Sequence, residues 1–175
     1  MEHIRTNKFF WSLRSGIRYG VLALLTFSGA HYFTLYVLGT SHYAPIGALW
    51  AMITGMVVMS DTEQSTVEKA RLQLLGGVVG AVAGFVYLSF LPFSIAGMVI
   101  MIVLVVTFCQ ATQLSGYTPG AAMNLGVVLV FSSINPGLAP LMNSGLRLIE
   151  VGIGCGFAIL LVRIIPGVTA DPHNN

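Results

Sequence analysis

Long apolar runs recur along this chain, and they constrain its fold more than any other feature. Each is close to the length that an α-helix needs to cross the roughly 30 Å hydrocarbon core of a bilayer. Of the 175 residues, 55% are hydrophobic and 8% are charged, whereas a soluble domain carries about 25% charged residues. The sequence therefore predicts an all-α membrane protein, a bundle of transmembrane helices whose immediate partner is the lipid bilayer.

The hydropathy pattern predicts six spans, separated by charged, proline-containing or polar breaks. They cover residues 17–38, 44–59, 67–91, 93–108, 119–134 and 142–165. We expect a cytoplasmic N-terminal segment at 1–16, a six-helix transmembrane domain at 17–165 and a short cytoplasmic tail at 166–175. The first apolar run is too long for a typical signal-peptide core, so we interpret it as a retained span.

The basic residues predict the orientation of the spans. They concentrate before and at the start of the first span and in the second loop, at Arg5, Lys8, Arg14, Arg18, Lys69 and Arg71. Because cytoplasmic loops carry an excess of Lys and Arg, both termini are expected in the cytoplasm. An even number of spans agrees with this prediction.

Two stretches of the chain resemble each other. The series Arg71, Gly76, Gly80 recurs 76 residues later as Arg147, Gly152, Gly156, and a Tyr-Ala-Pro at 43–45 matches a Tyr-Thr-Pro at 117–119. This pattern predicts two three-helix repeats, which would face opposite ways because three is odd, as in many transporters. The alternative is chance similarity among glycine-rich helices. Spans two and five look shorter than the rest and begin beside a proline, which points to a substrate site.

The glycines of spans three and six are spaced by four residues. Spacing of this kind places Gly76, Gly80 and Gly84 on one helical face, and Gly152 and Gly156 on another. Missing side chains let a second helix approach closely. Two interpretations stay open, packing within the chain and the face of a dimer.

Charged and amide side chains inside the spans are the candidate site. Arg147 and Glu150 lie three residues apart on span six, close enough to pair on one helical face. They form either a structural ion pair or a site at which Arg147 attracts an anionic substrate and Glu150 takes up a proton. Arg71 and Asp61 are placed at the cytoplasmic mouth, with Glu68 and Asp61 as the candidate partners of Arg71. Asn124 either lines a pathway or joins two helices by a hydrogen bond.

Several classes of function find no support in the sequence. There is no Walker loop, GxSxG or HExxH motif, so we expect no enzyme and no cofactor. The net charge of +2 and the lack of a basic stripe argue against nucleic acid. His31 and His42 fit no zinc spacing, so no metal site is expected. Cys109 and Cys155 lie in apolar runs and are expected to be buried thiols.

Two segments carry a resemblance to a known family. Residues 48–84 read ALWAMITGMVVMSDTEQSTVEKARLQLLGGVVGAVAG, with Trp50, a loop with several hydroxyl residues, Arg71, Gly76 and Gly80 in order. Residues 145–158 read GLRLIEVGIGCGFA, with Arg147, Glu150 and Gly152. Together they resemble the membrane block of the fusaric acid resistance protein-like family, which includes the aromatic acid exporters, over about residues 14–166.

The resemblance implies a multi-pass protein of the bacterial inner (plasma) membrane that exports small organic acids, including aromatic acids, with proton coupling as an expectation. Larger members of the family carry a cytoplasmic domain and a second membrane block, whereas this chain has one block of six spans. The resemblance therefore implies pairing with a second copy as a homodimer. The alternative is a non-transporting integral membrane partner or assembly protein.

Overall fold

A computed structural model describes residues 2–39, 43–165 and 167, with side chains from residue 11 onwards. The loop residues 40–42, which include His42, lie outside the described residues. So does the predicted tail at 166–175, apart from Gly167. The side chains of Arg5 and Lys8 are likewise not described.

The described chain is helical and contains no strand. Its six α-helices are α1 (Glu2–Leu38), α2 (Ala44–Val58), α3 (Glu63–Phe90), α4 (Ile95–Ala111), α5 (Thr118–Ile134) and α6 (Pro140–Ile164), with a 3₁₀ turn at Ser115–Tyr117 before α5. Four stretches are long and apolar enough to cross a membrane, namely Trp11–Leu38, Glu63–Phe90, Ser115–Ile134 and Pro140–Ile164, whereas α2 and α4 are shorter apolar helices. The prediction of an all-α, multi-pass membrane protein is confirmed.

The first helix begins well before the first predicted span. It runs without a break from Glu2 to Leu38, whereas the predicted span begins at residue 17. Charges such as Arg14 determine where a span enters lipid, but they do not interrupt helical hydrogen bonding. The expected boundary between residues 16 and 17 is therefore not a break in secondary structure.

The lengths of the short helices correct one prediction. The helix α2 is the shortest at 15 residues, but α4 and α5 both have 17 residues. Pro92 precedes α4, and Ser94 caps it by accepting the Gly97 N–H at 3.0 Å, so that α4 begins at Ile95. The prediction that span five is shorter than span four was wrong.

The first of two compact units combines the two ends of the chain, residues 1–69 and 153–175. In it α1 packs on α2 through Ala30, Ala48 and Ala51, with Ile153 of α6 against them. Gly154 brings the α6 backbone onto α2. A Cβ atom at Gly154 would collide with the Ala51 carbonyl and lie 2.9 Å from the Gly55 nitrogen. We call this part unit 1.

The second unit, unit 2, is the continuous segment 70–152. Its core cluster joins α3, α4 and α5 and consists of Tyr87, Val105, Cys109, Ala121, Leu125 and Leu129. Gly76 and Gly80 of α3 lie against the backbone of α5, where a Cβ atom at Gly80 would collide with the Ala121 carbonyl. Gly84 lies beside the Val128 side chain. Glycine therefore determines how closely α3 approaches α5.

The predicted packing role of Gly152 and Gly156 needs correction. No described atom lies within 4 Å of a Cβ atom built at either residue, and the glycine of α6 that packs is Gly154. Two residues rotate a helix by about 200°, so Gly154 faces away from both. Gly152 and Gly156 therefore leave an open strip on α6.

The composition of the units is relevant to the predicted repeat. Unit 1 contains α1, α2, the first residues of α3 and the second half of α6, and unit 2 contains α4, α5, most of α3 and the first half of α6. Each unit thus combines the first two helices of one predicted triplet with part of the third helix of the other. In each unit that third helix meets the second through glycine and backbone atoms. The repeat itself stays a prediction.

Candidate functional site

The polar face of α6 is buried within unit 2. Asn143, Arg147 and Glu150 follow one another at helical spacing and are 1%, 0% and 0% exposed. Residues four and then three apart lie on one face of a helix. A fully buried ion pair is costly in an apolar chain and marks a functional position by default.

Arg147 has two neighbours in the site. Its Nη1 atom lies 2.6 Å from Oε2 of Glu150, and its Cζ atom lies 4.0 Å above the centre of the Phe131 ring. The Arg147–Glu150 contact is an ion pair by distance. Nε and Nη2 of Arg147 lack a hydrogen-bond acceptor within the part of the chain that the structure describes.

Two asparagines extend the polar face to neighbouring helices. Asn124 of α5 donates to the Gly77 carbonyl of α3 at 2.6 Å, and Asn143 donates to the Val128 carbonyl of α5 at 2.8 Å. Their Oδ1 atoms accept no hydrogen bond from any described residue. Asn124 therefore joins two helices, as one of its two interpretations predicted, and keeps one polar atom unused.

Ser144 completes the cluster. It stands next to Asn143 and one turn before Arg147, its side chain is buried, and its hydroxyl has no partner among the described residues. A buried polar group without a hydrogen bond costs about 1–3 kcal/mol. The cluster contains several buried groups without a hydrogen-bond partner among the described residues, namely guanidinium nitrogens of Arg147, the Ser144 hydroxyl and the Oδ1 atoms of Asn124 and Asn143. This arrangement fits a polar ligand, above all a carboxylate bound to Arg147.

The charges predicted at the cytoplasmic mouth belong to different units. Asp61 of unit 1 lies 3.6 Å from Nη1 of Arg18, and Nη2 of Arg18 donates to the Ser60 carbonyl at 3.1 Å. Arg71 is exposed and belongs to unit 2. The pairing of Arg71 with Glu68 or Asp61 stays a prediction. Arg18 is buried in unit 1, where the loop after α2 reaches it.

A second ion pair in unit 1 joins the end of α6 to the start of α3. Arg163 of α6 donates from Nε to Oε1 of Glu63 at 2.6 Å, with both side chains about half exposed. The N–H of Gly167 donates to the Asp61 carbonyl at 2.9 Å. The loop between α2 and α3 is thus held by α1 and by the end of α6.

Sequence reasoning missed Phe131, Asn143, Ser144 and Arg18. Asn143 and Ser144 precede Arg147 by four and three residues, so their helical spacing to the charge was a usable signal. Phe131 gave no signal because a single aromatic residue in an apolar span is ordinary. Among the described residues, no three His, Cys, Asp or Glu side chains group in a way that could hold a metal ion.

The fold and the buried charges define a multi-pass helical membrane protein with a polar cluster inside one of its units. Residues 29–161 match the family described as fusaric acid resistance protein-like. This match covers most of the chain, so the chain belongs to that family, which is a family of membrane transporters. The search of curated proteins and the search of solved structures found no match.

Proposed function

We propose that the chain is a carrier of the bacterial inner membrane that exports small organic acids, including aromatic acids. The observation that carries the proposal is Arg147. Its side chain is 0% exposed, and its Nε and Nη2 have no hydrogen-bond acceptor within the described residues. Because a buried guanidinium is stabilised by bidentate contact with a carboxylate, Arg147 is the expected anion-binding group.

Ser144 and Asn124 complete the recognition of the anion in this proposal. The Ser144 hydroxyl can donate to a carboxylate oxygen, and it follows the same helical face as Arg147. The Oδ1 atom of Asn124 can accept a hydrogen bond from a hydroxyl of the solute. The face of Phe131 already holds the guanidinium plane at 4.0 Å, which fixes the direction of its N–H groups.

Charge balance gives the mechanism of coupling. Arg147 and Glu150 together are neutral, and a bound carboxylate brings the cluster to a net charge of minus one. Protonation of Glu150 removes this excess and frees Arg147 for the substrate. A carrier of this kind takes up one proton for each anion bound, because a net charge inside the membrane is costly. Glu150 is thus the proton-binding residue, and Arg147 the anion-binding residue.

The same proposal includes orientation and assembly. The basic residues Arg14 and Arg18 stand just before and at the start of the first predicted span, and Arg163 stands at the end of α6. The positive-inside rule therefore supports two cytoplasmic termini. A second copy of the chain is the expected partner, since the open strip at Gly152 and Gly156 suits close approach of another helix.

Efflux measured in intact cells tests the proposal. Cells that express the wild type, Arg147→Ala, Arg147→Lys or Glu150→Gln are loaded with a panel of organic acids, and the release of each acid is followed. The exposed Arg163→Ala is the matched control. We expect Arg147→Ala to lower the efflux rate by about tenfold or more, since hydrogen bonds to charged groups contribute about 1.5–3 kcal/mol. Arg147→Lys retains part of the rate because Lys keeps the charge but loses the bidentate contact.

The pH dependence of efflux separates the two charged residues. Glu150→Gln is expected to keep a low rate that no longer changes with the pH gradient. Membrane levels of each variant are measured by quantitative immunoblot. Equal efflux from all variants at equal protein levels would contradict the assignment of the site.

A non-transporting membrane partner is the second candidate function. The open strip on α6 favours it, because a pair of glycines with free space beside them in a membrane helix is a surface for another helix. Purification in a mild detergent distinguishes the two. A stable complex with a different protein, together with no efflux of any acid, supports the second candidate.

A further inference from the structure

We propose that unit 1 carries a second ligand site, at Trp50 and Thr54 of α2, which binds the hydrogen-bond acceptor of a neutral and largely apolar solute. This site lies on a different helix from Arg147 and does not depend on the carrier function proposed above. Two buried donors on one helical face carry the inference. Their surroundings then limit the chemistry of the ligand.

The Thr54 hydroxyl differs from the hydroxyls of two other helical threonines of unit 1, Thr26 and Thr66. Thr26 donates to the Leu22 carbonyl at 2.7 Å, and Thr66 donates to the Thr62 carbonyl at 2.9 Å. This bond to the preceding turn is how a threonine in a helix normally satisfies its hydroxyl. Thr54 makes no such bond, although it is 0% exposed, and its Oγ1 atom has no partner among the described residues.

Trp50 stands one turn before Thr54, and its polar group also lacks a hydrogen-bond partner among the described residues. Its side chain is 7% exposed, and its indole Nε1–H has no acceptor among the described residues. A buried tryptophan N–H usually has a hydrogen-bond partner. Residues four apart lie on the same face of a helix, so the two unused groups belong to one surface of α2.

The packing of unit 1 holds Thr54 in place. A Cβ atom at Gly154 of α6 would lie 3.1 Å from the Thr54 Cβ. The side chain therefore has α6 directly beside it. The β-branched side chain of threonine has few rotamers, and this close neighbour restricts it further. The hydroxyl is thus positioned before any ligand binds, which lowers the entropic cost of binding.

The donor set determines the class of ligand. Indole N–H is a donor only, and a hydroxyl donates readily, so the pair suits an oxygen with two lone pairs, such as a ketone, ester or amide carbonyl. The sequence of α2, APIGALWAMITGMVV, contains no charged residue. With no cation on α2 to balance an anion, a neutral acceptor is favoured over a carboxylate. The apolar side chains of α2 suit an apolar body for the solute.

Tryptophan fluorescence tests the site directly, because the chain contains two tryptophans. In Trp11→Phe, Trp50 is the single emitter. The probe is cyclohexanone, and methylenecyclohexane is the control of matched shape without an acceptor. We expect a saturable red shift of Trp50 emission with cyclohexanone, since a hydrogen bond to the indole N–H stabilises its excited state. With methylenecyclohexane, Trp50 emission is expected to change linearly with concentration, without saturation, because the compound only partitions into the detergent.

Variants of the hydroxyl complete the design. In the Trp11→Phe background, Thr54→Val is expected to weaken cyclohexanone binding by about tenfold, the loss of one hydrogen bond of about 1.4 kcal/mol. Thr54→Ser retains the hydroxyl and is expected to retain binding. Thr26→Val is the matched control, and it removes a hydroxyl that is already bonded to the backbone. Trp50→Phe, which leaves Trp11 as the emitter, is expected to show no saturable signal.

Two results would overturn the proposal. One is an equal shift of Trp50 emission by methylenecyclohexane and by cyclohexanone in Trp11→Phe. This comparison does not require any Thr54 variant to fold. The other is unchanged cyclohexanone binding in Thr54→Val. Repeating the titration with Arg147→Lys separates this site from the proposed anion site, because cyclohexanone binding is expected to stay the same.

Discussion

The contact of α3 with α5 provides the sharpest test of the packing described for unit 2. A Cβ atom at Gly80 would collide with the Ala121 carbonyl and lie 2.8 Å from the Leu125 nitrogen, both of which are backbone atoms. A backbone atom cannot change rotamer to make room. The substitution Gly80→Ala must therefore move one helix away from the other. Restoring the Leu125 nitrogen from 2.8 Å to the 3.4 Å of ordinary contact needs at least 0.6 Å (3.4 − 2.8).

The expected cost follows from this displacement. Overpacking a well-packed core by one methyl group typically costs about 1–3 kcal/mol, and the upper end applies where no side chain can yield. The matched control is Gly126→Ala on α5, because no described atom lies within 4 Å of a Cβ atom there. Alanine at an open helical position contributes about 0.5–1 kcal/mol relative to glycine. Both substitutions gain this helix propensity, so it cancels in the comparison. We therefore expect Gly80→Ala to be less stable than Gly126→Ala by about 3 kcal/mol.

Cys109 offers a local assay for this difference. It is buried in the same core cluster as Ala121 and Leu125, and Cys155→Ala leaves it as the single thiol. Thermal unfolding in a mild detergent is followed by the reaction of Cys109 with a fluorogenic maleimide. A loss of about 3 kcal/mol corresponds to a melting temperature lower by roughly 6–12 °C in a protein of this size. A melting temperature for Gly80→Ala equal to or above that of Gly126→Ala would refute the packing argument.

Three further predictions use the same thermal assay together with efflux. Asn124→Leu removes the 2.6 Å hydrogen bond to the Gly77 carbonyl. It is expected to cost about 0.6–1.7 kcal/mol of stability, the range for such bonds in membranes, and an unchanged melting temperature would show that this bond contributes nothing. Glu150→Leu alone leaves Arg147 buried without its counter-charge and is expected to cost about 3–5 kcal/mol of stability. Arg147→Met combined with Glu150→Leu is expected to restore stability but abolish efflux. Efflux at the wild-type rate in this double variant would show that the pair is structural only. Glu63→Gln breaks a half-exposed ion pair and is expected to change stability by less than about 1 kcal/mol, and a larger loss would mean that this pair stabilises unit 1 more than its exposure suggests.

The helices could be predicted from the sequence because hydropathy and chain breakers act locally. Pro136 and Gly137 end one apolar run, and α5 ends at Ile134 just before them. The predicted and observed ends of α2 and α6 agree within two residues. The start of α1 could not be predicted in this way, because the helix continues through charged residues that do not enter the hydrocarbon core of the membrane.

The partners of the charges were harder to predict from the sequence. Spacing predicted that Arg147 and Glu150 share a face, since both lie on one helix. The pair of Asp61 with Arg18 joins residues in α1 and a loop, and no local pattern relates them. The choice between Gly152 and Gly154 as the packing glycine needs the position of α2, because all three glycines of α6 from 152 to 156 fit a small-residue pattern. Long-range packing therefore determines which of several equivalent residues is used.

The two units also differ in the point of translation at which all of their residues have been synthesised. Unit 2 is one uninterrupted stretch, so all of its contacts can form once residue 152 has been synthesised. Unit 1 needs both ends of the chain, and the bond from Arg163 to Glu63 spans 100 positions. The helices α1 and α2 are therefore synthesised well before the part of α6 that completes their unit, and unit 1 can form only after unit 2 has been synthesised.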